Sequence, residues 1–213
     1  MAEENQLIND LFAKLDKWRL FPSYQLERRS DIFFAVYLPD IIKKVLKYEV
    51  TCIIPEFPIR IGELNNKELN RSFKIDYLVY CKKANRVLFI ELKTDITSRK
   101  PKQDKYLEKA KEINIKQLIE GFIKISKATK STKYFNLIQE LVGINWIKME
   151  RNAPENSSID YEIEIVYIQP KEEISPGKTI ISFDDIIDTL SSYEDIITKR
   201  FVESLRNWRT NPN

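Results

Sequence analysis

Histidine is absent from all 213 residues, and that absence removes a broad range of chemistry. It excludes Ser-His-Asp hydrolysis, Cys-His proteolysis, histidine-dependent metal nucleases and His-ligated zinc. Cysteine is nearly absent too. Two residues, Cys52 and Cys81, cannot build a four-cysteine zinc site. Both fall in apolar, strand-like segments, where buried free thiols in a reducing cytoplasm are expected. The four glycines form neither a Walker loop nor a dinucleotide fingerprint. With only nine prolines, the composition is not that of a low-complexity or disordered chain. No apolar run reaches membrane-spanning length, and Met-Ala-Glu-Glu-Asn at the start lacks signal-peptide features, so no membrane partner is expected. No repeat of 20–50 residues is present. The net charge of +3 neither requires nor excludes a polyanionic partner, because cations can concentrate at one cleft.

What is present suits a core-building chain. Apolar residues make up 43%, with eleven Phe, ten Tyr and three Trp, enough for one domain over residues 1–213. It divides into N-terminal helices (1–48), a core (49–128) and a C-terminal strand and helix region (129–213). Leu7, Leu11, Leu15 and Trp18 recur at helical spacing over Glu3–Trp18. A second helix is expected over Gln25–Tyr48, kinked or restarted at Pro39. Strands follow at Thr51–Ile54, Phe57–Ile61, Phe73–Cys81 and Arg86–Thr94, with a polar loop over Gly62–Arg71. One helix is expected from the Pro101 region to Lys127, with Leu107, Ala110, Ile113, Leu118, Phe122 and Ile125 inward, and another over Lys133–Val142. Ala153–Ser158 reads as a loop, Tyr161–Gln169 and Thr179–Phe183 as strands, and the remainder to Trp208 as helical. The order predicts a central mixed sheet flanked by helices.

The strongest chemical signal lies between Phe73 and Asp95. Phe73, Ile75, Tyr77, Val79 and Cys81 alternate on one strand face, and Leu88, Ile90 and Leu92 on the next. The other face carries Asp76, then Glu91, Lys93 and Asp95. A hairpin centred on Lys83-Ala84 sets Asp76 opposite Glu91; a turn centred on Ala84-Asn85 sets it opposite Lys93. Either way the three share a face, because the strand period is two. Facing like charges destabilise a sheet, so a half-buried carboxylate pair calls for a shared proton or a cation. Hard oxygen donors suit Mg²⁺, which keeps waters or substrate phosphate in its shell. In a chain with 31% charged residues, Asp followed by Glu-x-Lys arises readily by chance. The strongly apolar strands around these acids set them apart.

Ile75-Asp76 and Glu91-Leu92-Lys93 resemble the core motif of the PD-(D/E)XK phosphodiesterase superfamily, which includes restriction endonucleases and junction resolvases. The resemblance covers the central half of the chain, and this chain has no proline beside Asp76. It implies an α/β, restriction-endonuclease-like fold with an αβββαβ core. It implies that Asp76, Glu91 and the Leu92 carbonyl bind Mg²⁺, for which Mn²⁺ can substitute, and that Lys93 orients the attacking water. It also implies an auxiliary acid, for which Glu27, Asp31 and Glu56 are the candidates. Beyond Lys93 comes a basic stretch in which Arg99, Lys100, Lys102 and Lys105 suit phosphate contacts. Gln103 and Tyr106 share the first turns of the helix that follows, from which polar residues reach the scissile phosphate in several members. The expected activity is a metal-dependent nuclease with nucleic acid, DNA first, as substrate and partner. Recognition of a long site would call for a partner or a homodimer. The alternative is an inactive nuclease-fold protein that binds nucleic acid or another protein.

Overall fold

The computed structural model describes residues 2–65, 71–95, 101–129, 132–151, 153–171 and 178–210. Five strands form a mixed sheet flanked by helices: β1 (Cys52–Arg60), β2 (Ser72–Cys81), β3 (Arg86–Leu92), β6 (Glu162–Gln169) and β7 (Thr179–Ser182), paired in the order β1-β2-β3-β6-β7. β1–β2 and β2–β3 are antiparallel, and β6–β7 is parallel. The Asn85 carbonyl accepts from the Glu162 amide at 3.2 Å, and the Lys93 amide donates to the Ile168 carbonyl at 2.8 Å. Both bonds fit one parallel register between β3 and β6, so β2 alone runs against the other four. A second sheet is the hairpin of β4 (Ile147–Glu150) and β5 (Ala153–Asn156).

The chain divides into two compact units. One comprises Met1–Glu49, Leu92–Arg99 and Val166–Asn213. It contains α1 (Ala2–Trp18), α2 (Leu26–Val45), α7 (Phe183–Leu190) and α8 (Ile196–Trp208), with α8 packed on α1 and α7. Its core is aromatic. The Phe34 ring meets Phe201 edge-on at 5.1 Å, and Tyr37 stacks on Phe201 at 5.7 Å. The buried polar tips have partners: Tyr37 Oη lies 2.6 Å from Thr198 Oγ1, and Trp208 Nε1 donates to Asp16 at 2.8 Å. Ser182 and Asp185 form a reciprocal capping box that starts α7.

The other unit comprises Val50–Glu91 and Lys100–Ile165. Here α3 (Ile61–Asn65), α4 (Pro101–Glu112), α5 (Ile115–Ala128) and α6 (Phe135–Gly143) accompany the β1–β3 meander. α5 packs on β1, and Phe57 meets Phe122 at 5.8 Å.

Several sequence expectations change. The two short strands around Pro55 are one edge strand, β1, in which two prolines are tolerated because one side of an edge strand needs no ladder donors. α2 runs through Pro39 and stops at Val45, short of Tyr48; Tyr37, Leu38, Ile41 and Ile42 are all buried and anchor the helix on both sides of the proline. The expected loop 62–71 opens with the short helix α3. The single helix expected to reach Lys127 is two, because the Asn114 side chain accepts the Gln117 amide at 2.8 Å and starts α5 afresh. Ala153–Asn156 is a strand, with Arg151 (φ 47°) in the left-handed region between β4 and β5. Of the α1 stripe, Leu15 is buried, whereas Leu7, Leu11 and Trp18 are exposed.

Candidate active site

The β2–β3 hairpin turns through a 3-10 turn at Lys82–Ala84 and closes at Asn85, whose φ of 53° is left-handed. Asparagine tolerates that conformation better than most side chains. The ladder pairs Cys81 with Arg86 and Tyr77 with Ile90, which is the register centred on Lys83-Ala84. One step further, the same register brings Asp76 opposite Glu91. Asp76 is half-buried. Glu91 is fully buried, amid buried Phe89, Ile90 and Leu92.

A buried carboxylate is expensive unless hydrogen-bonded or paired. From the first turns of α4, the Gln103 side-chain amide donates to Glu91 Oε1. On the same helix the Tyr106 ring stacks on Phe73 at 5.3 Å, and Leu107 and Ala110 are buried. Gln103, Tyr106, Leu107 and Ala110 thus form one helical face at i, i+3, i+4 and i+7. Lys105 is exposed and sits roughly 200° round the helix from Gln103, so it does not join that face. Lys102 stands in the first turn of α4. Arg99 and Lys100 lie outside the described residues.

The chain passes from one compact unit to the other between Glu91 and Leu92. Lys93, in the second of these, is 5% exposed, and its Nζ lies 3.9 Å from a Glu27 carboxylate oxygen. That separation is an ion pair rather than a hydrogen bond. Glu27 is in the first turn of α2, where the helix N-terminus favours negative charge. Leu92 is buried next to Lys93.

The three candidate auxiliary acids part company. Glu27 lies within ion-pair distance of Lys93. Asp31 is exposed and accepts the Ile32 amide at 2.7 Å. Glu56 has a left-handed φ of 52°. It occupies the β1 position between the Pro55–Tyr77 and Phe57–Ile75 pairs, and so lies across from Asp76. Its half-exposed carboxylate is bonded to Lys74. The Lys74 partnership was readable in principle, since Lys74 and Asp76 share a strand face; the choice of Lys93 by Glu27 was not.

Among the described residues, no three or more His, Cys, Asp or Glu side chains gather as a metal-binding group. Asp76 and Glu91, opposite each other in the β2–β3 register, would offer a two-carboxylate, oxygen-only donor set. That set fits Mg²⁺, which usually takes one or two carboxylates and keeps several waters, and it fits zinc poorly. Among the described residues, no helix is long and apolar enough to cross a membrane. Comparison of the chain with models of protein families, with curated proteins and with solved structures returns no match.

Proposed function

We propose that this protein is a Mg²⁺-dependent nuclease that hydrolyses phosphodiester bonds in nucleic acid, DNA first, on a restriction-endonuclease-like αβββαβ plan. The observation that carries the reading is Glu91: a fully buried carboxylate in an apolar strand, opposite Asp76 in the register, with an amide from α4 on one oxygen. Such a group is costly to keep for stability alone. The chain order supports the plan: helix α2, three strands in an antiparallel meander, helices α4 and α5, then β6.

In this reading Asp76, Glu91 and the Leu92 carbonyl hold Mg²⁺. Bound there, the ion polarises the scissile phosphate and lowers the pKa of a coordinated water. Gln103 fixes the Glu91 carboxylate, leaving its rotamer little freedom. Lys93 supplies a buried positive charge two residues on, which orients the attacking water and offsets the charge that grows on the phosphate. Glu27, within 3.9 Å of its Nζ, holds the Lys93 side chain in place.

The test is cleavage of plasmid, linear, single-stranded and branched DNA, and of RNA, with Mg²⁺ or Mn²⁺ and with EDTA. Asp76→Asn, Glu91→Gln and Lys93→Ala are each expected to lower cleavage by at least about 100-fold, the scale of a lost electrostatic stabiliser. Metal-free DNA binding by the two carboxylate variants should persist or tighten as acid–phosphate repulsion falls. Wild-type protein that cuts none of these substrates but binds DNA would leave the inactive, binding-only reading in its place.

A further inference from the structure

Helix α1 presents to solvent a stripe of the kind that helices bury. Leu7 is 70% exposed, Leu11 44% and Trp18 40%; on α2, Ile32 and Val36 are each 61% exposed. Leu11, Trp18 and Ile32 line one groove with Leu15, Tyr24 and Phe33, and the exposed Arg29 is the one charged residue on its wall. Leu7 is one turn before Leu11 and Val36 one turn after Ile32, so the five exposed residues form a continuous patch. Half-exposed on average, they present on the order of 500 Å² of apolar surface, near the upper end for a monomer. Two such patches face to face would cover about 1,000 Å², the threshold for a specific interface.

Charge selects the occupant. Asp10, Lys14 and Lys17 are exposed and run along one side of the stripe, roughly 60–120° round from Leu11 at about 100° per residue. From N- to C-terminus the row reads acid, base, base. Asp16 is not part of it, because its carboxylate accepts from Trp208 Nε1 on α8. An antiparallel copy of α1 sets the acidic end against the basic end, brings Leu7 towards Trp18 of the partner subunit, and meets itself near Leu11. A parallel copy sets the two rows on opposite edges of the contact and gains no such pairing. A patch complementary to itself in both apolar surface and charge is what a two-fold interface requires.

We infer that the α1–α2 face joins two copies of this chain, with α1 antiparallel to the α1 of the second copy. Sedimentation equilibrium of the full chain, from about 1 to 100 µM, is expected to show a mass twice 25.3 kDa at the upper end. Leu11→Asp, at an exposed position that leaves the helix intact by circular dichroism, should weaken association by roughly 100-fold, since the two-fold counts the lost burial twice. A Lys14→Glu/Lys17→Glu chain and an Asp10→Lys chain should each associate more weakly than wild type, and a 1:1 mixture of the two should recover association. A monomer across the whole range would overturn the inference. So would a dimer that Leu11→Asp leaves unchanged, or charge-reversed chains that fail to recover on mixing.

Discussion

Gly121 decides how closely α5 approaches the end of β1, and a single methyl group tests that. A Cβ at this position would stand 2.7 Å from Glu63 Cγ and 3.3 Å from Arg60 Cβ. The first distance is well inside van der Waals contact. Glu63 cannot swing aside cheaply, because Arg60 and Lys124 each hold its carboxylate at 2.9 Å. Gly→Ala in a helix interior gains about 0.8–1 kcal/mol, and overpacking costs about 1–3 kcal/mol. Gly121→Ala should therefore destabilise the protein by about 1 kcal/mol, which for a chain of this length lowers Tm by roughly 2–4 °C. With Glu63→Ala the Cγ is gone and only the softer Arg60 contact remains. In that background Gly121→Ala should stabilise, by about 0.5–1 kcal/mol. Urea denaturation of the four proteins reads out the double-mutant cycle. If Gly121→Ala stabilises both backgrounds equally, the steric account is wrong.

Two further outcomes follow from the same structure. Burial pushes the Glu63 carboxyl up, but hydrogen bonds and charge from Lys124 and Arg60 outweigh it and hold the pKa below its ordinary value of 4.5. Its stabilising contribution is therefore fully present above pH 4.5 and is lost as pH falls through the lower folded value; wild type should lose more stability than Glu63→Gln over that acid window in denaturation at stepped pH, and parallel curves would contradict this. Mg²⁺ at about 100 times its Kd should stabilise wild type by about 2.7 kcal/mol, roughly 5–10 °C in Tm, and should leave Glu91→Gln unmoved in a thermal scan; an equal shift in both would place the ion elsewhere.

The strand hairpin was legible because its evidence is local. Alternation over Phe73–Cys81 and Arg86–Leu92 fixes which residues share a face; of the two registers the sequence leaves open, the four-residue connection ending in Asn85 takes the one centred on Lys83-Ala84. The errors elsewhere share a cause. At Ile113-Asn114 the apolar spacing continues, yet a capping asparagine restarts the helix, so periodicity outvoted a cap that was in plain view. At Pro55 and Pro58 the prolines argued for a break, but edge position removes their penalty, and edge position is a property of the sheet rather than of the segment. Ala153–Asn156 looked like a loop for the same reason: Pro154 pairs with Met149 in a strand that has one neighbour only.

The candidate site divides along the same line. The placing of Asp76 opposite Glu91 follows from strand alternation and a local turn. What surrounds them does not. The contact between Gln103 and Glu91 depends on how α4 returns over the sheet, and the pairing of Glu27 with Lys93 spans 66 residues. No periodicity reports such distances. The energetic cost is what betrays them. A fully buried glutamate and a nearly buried lysine, two residues apart in an apolar strand and its continuation, each need compensation from somewhere in the fold. The sequence already shows that need, because Glu91 and Lys93 interrupt a run of Val, Leu, Phe and Ile. It does not show which distant side chains meet it, and Gln103 and Glu27 answer that only once the chain has folded.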